Sequence, residues 1–297
     1  MPELPEVQTV VSDLNQKIVG DTIVGFWSDW PKAIKNLALK EFNQEITGRK
    51  ILGVRRIGKN IFVDLDGNPL HPSRGKKTLY LHLKMTGHLI IKSGDQTQED
   101  KKYFADRVNQ YVHHSWELKD KKGKKINLDF SDMRKFAKIV LVDTDKVMEL
   151  KEIAALGIDA MDPKFDAKYF QAILEKRPKR KIRDILMDQT LIAGIGNIYL
   201  SEVLYASGIL PTRLAGEIKP TEAKKLHQII IKTLKMAIQM RGTSDSDYRD
   251  TAGAPGGFQK VLRVYRKTGK KCPKCATIIQ RAKMGQRSVF FCPACQK

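Results

Sequence analysis

The residues best suited to chemistry stand at the start of the chain, which reads Met1-Pro2-Glu3-Leu4-Pro5-Glu6-Val7. Removal of Met1 would give Pro2 a free secondary amine. Because α-amino groups titrate near ~7.7–8.0, a substantial fraction is neutral at physiological pH. Neutral amines attack electrophilic carbon and form imine or iminium intermediates. Pro2 is therefore a candidate nucleophile, with Glu3 and Glu6 as its flanking acids.

The same residues also fit ordinary helix capping. Apolar side chains recur at helical spacing after Pro5, at Val7, Val10, Val11, Leu14 and Ile18. This pattern predicts a helix that begins near Pro5 and buries one face. Proline in a first turn and acids near the positive end of the helix dipole are common at helix starts. The N-terminus alone leaves both capping and catalysis open.

Four cysteines near the other end have the spacing of a metal site. Cys272 and Cys275 form one C-x2-C pair, and Cys292 and Cys295 form a second pair after sixteen intervening residues. This spacing is typical of a structural zinc ion held by four thiolates, whereas two disulfides are the alternative. Between the pairs, residues 277–279 and 288–291 are predicted to form two strands around a turn at 283–286. The metal would hold this hairpin together.

The charge of the chain points to a polyanionic partner. Lys and Arg number 54 against 33 Asp and Glu, a net charge of +21. From residue 256 to 297 there are 11 Lys or Arg and no acid. A charge of this size favours nucleic acid as partner. No run approaches the roughly 20 apolar residues of a membrane span, and no signal-peptide core is visible, so a cytoplasmic protein is expected.

The pattern of apolar residues predicts a β-rich part followed by a helical part. Short strands are predicted at 22–27, 51–57, 61–65, 79–83, 89–92, 111–118, 126–130 and 138–142. They indicate a sandwich or barrel. Helices are predicted at 148–155, 166–176, 181–188, 198–206 and 221–240. The glycine turn 193–197 is interpreted either as a phosphate-binding turn or as helix capping by Asn197. The polar segment 243–257 is expected to be a mobile linker or a lid.

Five motifs in order resemble the formamidopyrimidine-DNA glycosylase family, and the resemblance spans the whole chain. They lie at residues 1–7, 82–87 (His-Leu-Lys-Met-Thr-Gly), 132–136 (Asp-Met-Arg-Lys-Phe), 188–199 (Asp-Gln-Thr-Leu-Ile-Ala-Gly-Ile-Gly-Asn-Ile-Tyr) and 285–296, which contains Gly-Gln-Arg-Ser and Cys-Pro-Ala-Cys-Gln. Leu4 after Pro2-Glu3 resembles this enzyme more than its sister endonuclease VIII.

The resemblance implies a multi-domain α+β fold. Its parts would be an N-terminal β-sandwich with a leading helix (1–145), a helix-two-turn-helix domain with a lesion-capping loop (146–258), and a four-cysteine zinc finger (259–297). Damaged double-stranded DNA would bind in the cleft between them, to a protein expected to be monomeric. The activity implied is bifunctional, excision of oxidised purines such as 8-oxoguanine and strand cleavage at the resulting abasic site.

Roles for individual residues follow from the same resemblance. Pro2 would attack C1′ of the damaged nucleotide, Glu3 would be the general acid and base, and Glu6 would position the helix or the sugar. DNA-phosphate contacts are implied for Lys59, His82, Asn197 and Arg287. Met85, Arg134 and Phe136 would fill the space left by the flipped base. The alternative is that Met85 and Phe136 are core residues of adjoining strands. One structural zinc ion is implied.

The chain departs from the family pattern in three places. Lys135 and Ala137 stand where the family has Arg-Arg-Phe-Gly, residues 156–160 lack the usual proline pattern, and Arg266 replaces a glycine. The change at Lys135 could shift a phosphate contact. Two other functions remain open, an endonuclease VIII-type glycosylase for oxidised pyrimidines and a non-catalytic zinc-containing DNA-binding protein.

Overall fold

The β-rich part of the chain folds into two four-stranded antiparallel sheets in a computed structural model, which describes residues 1–69, 75–93 and 97–297. The elements of this part are α1 (Leu4–Lys17), β1 (Thr22–Ser28), α2 (Leu39–Ile46), β2 (Ile51–Ile57), β3 (Asn60–Leu65), β4 (Lys77–His82), β5 (His88–Ser93), α3 (Gln98–Phe104), β6 (Val112–Lys119), β7 (Lys125–Ser131), β8 (Lys138–Asp143) and α4 (Lys151–Ala154). All eight predicted strands are present within two residues of their predicted ends.

The two sheets share one hydrophobic core. One sheet has the strand order β1-β6-β7-β5 and the other β2-β3-β4-β8. Fully buried side chains from both sheets, such as Trp116 and Leu81, pack into this core together with Val10 and Leu14 of α1. Each such aliphatic side chain stabilises the fold by about 1.5–3 kcal/mol when it leaves water. The sandwich with a leading helix is confirmed.

A second compact unit contains helices and a small hairpin. Its elements are β9 (Ile158–Asp159), α5 (Ala167–Glu175), α6 (Ile182–Met187), β10 (Ile192–Ala193), α7 (Asn197–Ser207), α8 (Pro220–Gln239), β11 (Gln280–Met284) and β12 (Arg287–Phe291). Gly157 lets the chain pass close to Leu191 beside the β9–β10 pair, because a Cβ there would lie 2.4 Å from the Leu191 backbone. Within the described residues, no helix has both the length and the apolar composition needed to cross a bilayer.

Two sequence predictions of secondary structure are wrong in detail, and two helices were missed. The first strand of the C-terminal hairpin is Gln280–Met284 instead of 277–279. The apolar residues that suggested a strand at 277–279 include Ile279. This residue is buried in the small core beside the hairpin but is not part of the strand. The predicted helix 148–155 is a 3₁₀ turn (Thr144–Glu149) followed by the short α4, and α2 and α3 were not predicted.

The segment 240–257 packs with the β-sandwich. Contacts between Cα atoms group Met1–Ala154 with Met240–Gly257 and group Ala155–Gln239 with Phe258–Lys297. Four side chains of this segment are buried, those of Thr243, Tyr248, Asp250 and Thr251. The expected linker or lid is therefore extensively packed. The domain boundaries 1–145, 146–258 and 259–297 stay a prediction.

Candidate active site and nucleic-acid interface

The carboxylates at the start of α1 are buried and held by backbone donors. Glu6 is fully buried, and Glu3 is 3% exposed. The Glu3 backbone N–H donates to Glu6 Oε2 at 2.7 Å, which is the interaction expected of helix capping. The Thr243 N–H donates to Glu6 Oε1, also at 2.7 Å. Glu6 therefore caps α1 and also fixes segment 240–257 beside the N-terminus.

The N-terminal amine lies in surroundings that favour its neutral form. Burial lowers the pKa of the Met1 amine from its ordinary value of 8.0, although Glu3, Glu6 and Asp247 oppose this shift and Lys59 supports it. Desolvation acts in this direction because it penalises the charged ammonium. A neutral amine is the nucleophilic form. The position next to Pro2 therefore suits amine chemistry.

Lys59 and His82 belong to the same electrostatic neighbourhood. Lys59 is 7% exposed at the turn between β2 and β3. Burial, assisted by the positive charges of Lys84, Lys59 and Lys138, lowers the pKa of His82 to about 3. The Lys84 backbone N–H donates to His82 Nδ1 at 2.9 Å. In the protein without DNA, His82 is thus neutral and carries its proton on Nε2, from which it can donate a hydrogen bond.

The three residues predicted to fill a vacated base position lie together on the surface. Met85 is 43% exposed, and Phe136 is 51% exposed. Arg134 Nη1 is 3.2 Å from Met85 Sδ, and its Cζ is 4.6 Å from the centroid of the Phe136 ring. The interpretation of Met85 and Phe136 as core residues of adjoining strands is wrong. An exposed methionine, guanidinium and aromatic ring form a surface suited to unstacked bases.

Buried Asp132 organises this group, although sequence reasoning did not single it out. Its carboxylate accepts hydrogen bonds from the Thr86 hydroxyl and from the Ala137 N–H, the latter at 2.7 Å. The Thr86 hydroxyl oxygen in turn accepts from the Arg134 N–H at 3.2 Å. Asp132 therefore connects the Met85 turn with the Arg134–Phe136 turn. Asp132 also begins a local turn, in which the Lys135 backbone N–H donates to the Asp132 carbonyl oxygen. This turn is the feature that could have pointed to Asp132.

Lys135 and Arg266, two residues at which the sequence departs from the family pattern, share a backbone feature. Both residues have positive φ, 55° in each case, which glycine adopts most readily. Lys135 Nζ lies 4.7 Å from the centroid of the Trp30 ring, and Arg266 Cζ lies 5.9 Å from that of Tyr265. Cation–π contacts with these rings accompany the two strained turns.

In the second unit, Asn197 is hydrogen-bonded to the hairpin strand that carries Arg287. Asn197 Nδ2 donates to the Ser288 carbonyl at 2.8 Å, next to exposed Arg287. The residue that caps α7 is Gly196, and Asn197 is the first helical residue. The interpretation of Asn197 as the N-cap is therefore wrong, and its side chain instead fixes the helix start to the hairpin.

The four cysteines form one tetrahedral cluster. Their Sγ atoms all lie within 4.8 Å of one another, and the closest pairs are 3.3 to 3.8 Å apart. Zn–S bonds of ~2.3 Å give sulphur–sulphur edges of about 3.8 Å, whereas a disulfide needs ~2.05 Å. The donor set fits one structural zinc ion, held by Cys272, Cys275, Cys292 and Cys295. With thiolate ligands, the Tyr205 hydroxyl donates to Cys272 Sγ at 3.2 Å.

Removal of the zinc is expected to unfold the hairpin and weaken DNA binding. Cys292→Ser breaks a ligand in the small core that Cys292 shares with Tyr205, Val264, Ile279 and Phe290. Such units do not fold without their metal, so the Asn197 contact to Ser288 is lost. We expect affinity to fall at least about tenfold, or ~1.4 kcal/mol, by gel shift.

The hairpin variant Gln280→Ala is the control, because Gln280 is exposed and is not a ligand. It should keep both affinity and metal. Metal analysis is expected to give one zinc per chain for the unsubstituted protein. Tight DNA binding by a metal-free protein would contradict the structural role.

Comparisons with known proteins cover the whole chain. Family models match for the formamidopyrimidine-DNA glycosylase N-terminal domain (residues 1–139), its H2TH domain (156–249) and a zinc finger found in FPG and IleRS (269–297). The chain is 38% identical over 297 residues to formamidopyrimidine-DNA glycosylase of Pelotomaculum thermopropionicum, covering 100% of this chain and 99% of the relative.

Solved structures agree with this match. The Lactococcus lactis Fpg in complex with DNA containing an abasic site is 32% identical, with a TM-score of 0.82 and 99% of both chains covered. A point variant of the same protein in complex with Fapy-dG-containing DNA is also 32% identical, with a TM-score of 0.82 and full coverage of both chains. With matching sandwich, helical and zinc-finger parts in the same order, the chain belongs to the formamidopyrimidine-DNA glycosylase family.

Proposed function

We propose that the N-terminal proline of this glycosylase is the nucleophile of a combined base-excision and strand-cleavage reaction on oxidised purines in double-stranded DNA. Membership in the family makes the chain a DNA glycosylase of base excision repair with AP-lyase activity. The observation that carries the proposal about Pro2 is the neutralising environment of the N-terminal amine beside buried Glu3 and Glu6. Loss of Met1 would put the Pro2 amine next to those carboxylates.

The proposed chemistry begins with attack of the neutral Pro2 nitrogen on C1′ of the damaged nucleotide. Glu3 protonates O4′ as the Pro2 nitrogen bonds to C1′ and the C1′–O4′ bond breaks, which opens the sugar. The glycosidic bond then breaks, the base leaves with the proton that the amine gives up, and an iminium remains. The Glu3 carboxylate then removes a C2′ proton, and the released electron pair expels the 3′-phosphate. General acid–base catalysis by one carboxyl group serves both proton transfers.

The remaining predicted residues are assigned to DNA binding. Lys59 and neutral His82 would contact phosphates close to the lesion, and Asn197 with Arg287 would contact the backbone from the second unit. Lys135 would contact phosphate or support its turn through Trp30. Contacts to phosphate position the DNA without reading its sequence. We also infer a monomer acting in the cytoplasm.

Borohydride trapping tests the nucleophile. Hydride reduces an iminium to a stable amine, so protein incubated with duplex carrying 8-oxoguanine opposite cytosine should become covalently linked to DNA through Pro2. Burial at the N-terminus penalises a charged amine, as it does for the Met1 amine, whose pKa it lowers. Because only the neutral amine attacks C1′, trapping should rise with pH. Peptide mass spectrometry locates the adduct and shows whether Met1 is removed.

Two controls separate this proposal from its alternatives. Pro2→Gly leaves a primary amine and should trap more slowly. A duplex carrying an oxidised pyrimidine distinguishes the endonuclease VIII-type specificity, since the proposed enzyme should prefer the purine lesion. No adduct with any damaged duplex, or an adduct at a lysine, would exclude Pro2. A protein that binds DNA, retains Met1 and never traps would be the non-catalytic zinc protein.

A further inference from the structure

A buried carboxylate on α1, that of Asp13, holds both ends of the segment between residues 241 and 251. The Arg241 guanidinium donates to Asp13 from Nη1 at 3.1 Å and from Nη2 at 2.5 Å. The Thr251 hydroxyl donates to the same carboxylate at 2.7 Å. Arg241 Nε also donates to Asp250 at 2.6 Å. The Asp13 and Asp250 side chains are 10% and 4% exposed, whereas the Arg241 side chain is 43% exposed. Because both partners are charged, these hydrogen bonds are stronger than neutral ones.

The backbone of Arg241 explains what these ion pairs accomplish. Arg241 has a φ of 60°, in the left-handed region that L residues other than glycine disfavour. Gly242 follows with a φ of 79°, and a Cβ there would lie 2.7 Å from Glu6 Oε1. Two consecutive left-handed residues thus bring the chain against Glu6. The ion pairs hold Arg241 in a conformation that its own backbone resists.

This turn connects Asp13 with the N-terminus. Directly after Gly242, the Thr243 N–H donates to Glu6 Oε1, while Glu6 Oε2 accepts from the Glu3 N–H. Glu6 and Asp13 stand seven residues apart on α1, two turns along the same face. In this series of contacts, the Asp13 side chain does not itself touch Glu3 or Pro2. Its influence passes through Arg241, the Gly242 turn and Glu6.

We propose that Asp13 is a positioning residue for the reaction at the N-terminus. By fixing Arg241, it keeps the Thr243 amide on Glu6, and Glu6 keeps Glu3 and the terminal amine in the reactive arrangement. The inference rests on the proposed function, because it concerns the rate of the reaction assigned to Pro2 and Glu3. A displacement of about 1 Å at reacting groups can cost on the order of a hundredfold in rate.

The test compares single-turnover excision by three variants at saturating protein. Asp13→Asn removes one of the two carboxylate charges that hold Arg241 and should slow excision by about tenfold or more. The double variant Asp13→Asn with Arg241→Gly should recover most of the lost rate, since glycine adopts a φ near 60° without an anchor. If Asp13 acted only through its charge on the N-terminal amine, the double variant would be as slow as Asp13→Asn.

Asp64→Asn is a matched control in the same compact unit. Asp64 accepts from Arg55 Nε and Nη2 at 2.8 and 3.3 Å and from the Thr78 hydroxyl at 2.7 Å, the same kinds of partner that Asp13 has. This control should lose thermal stability, as Asp13→Asn does, while its excision rate stays at the unsubstituted level. All rates are measured below the melting temperature of the least stable variant.

Three outcomes would overturn the inference. They are an unchanged rate in Asp13→Asn, a double variant as slow as the single one, and an equal loss of rate in Asp64→Asn. Failure of the proposed function is distinguishable, because the unsubstituted protein would then neither excise the lesion nor form the Pro2 adduct. Excision by the unsubstituted protein together with any of these three outcomes rejects the role of Asp13 alone.

Discussion

Replacing Glu3 with Gln is expected to reduce base excision by about a hundredfold to ten-thousandfold, the range typical for loss of a general acid–base group. The amide keeps nearly the same shape but can neither give the proton to O4′ nor remove the one at C2′. Glu3 is almost fully buried, so the loss should appear in the chemical step and leave DNA affinity within about twofold. Single-turnover excision and gel shift measure the two quantities separately.

Glu6→Gln is the informative comparison. The Glu6 carboxylate accepts from two backbone N–H groups, of Glu3 and Thr243, one on each oxygen. An amide has only one acceptor oxygen, so one buried donor loses its partner at a cost of about 1–3 kcal/mol. We expect a lower melting temperature for Glu6→Gln and an almost unchanged one for Glu3→Gln. Equal excision rates for Glu3→Gln and the unsubstituted protein would contradict the assignment.

The second large effect is expected at the exposed group formed by Met85, Arg134 and Phe136. Phe136→Ala and Met85→Ala should each slow excision of 8-oxoguanine from paired duplex about tenfold to a hundredfold. Enzymes that work on bases must unstack them at a cost of a few kcal/mol, and inserted side chains offset this cost. Processing of an abasic site should change much less, because its base is already absent.

Melting temperature is the control for these two variants. Both side chains are about half exposed, so truncation should change the free energy of unfolding by no more than about 0.5 kcal/mol. Arg134→Ala should retain the surface positions of the other two side chains and lose the guanidinium alone. A large loss of stability, with both substrates affected alike, would remove Met85 and Phe136 from the site.

The sequence predicted those parts of the fold that depend on local periodicity or fixed spacing. The eight sandwich strands follow short β-rich runs of apolar residues, and the zinc site follows from two C-x2-C pairs. Helix α2 was not predicted because it buries only Phe42 and Ile46, which are too few to give a periodic apolar pattern. The strand Gln280–Met284 was not predicted because none of its five residues is buried. Its sequence of polar and apolar residues therefore resembles that of a loop.

The candidate site was predictable only where residue types or motifs indicate it. The residue types at the N-terminus made Pro2 a candidate nucleophile beside Glu3, and the resemblance to the family decided between catalysis and capping. Lys59 and the exposed group around Phe136 came from the resemblance alone. In contrast, Asp13 and Arg241 stand 228 residues apart, and neither belongs to any of the five motifs that carry that resemblance. Their pairing depends on the tertiary course of the chain and on a left-handed backbone, which alternation and spacing do not encode.

The first compact unit is discontinuous, and this has a consequence for how the protein is made. Its first stretch ends at Ala154, but its last stretch ends at Gly257. Until that last stretch leaves the ribosome, the Ile91 N–H lacks its Thr251 acceptor and the Asn109 amide lacks the Gly253 carbonyl. At ~5–20 residues per second, translation leaves an interval on the order of ten seconds. The reactive end is synthesised first, yet its surroundings are completed only near the end of translation.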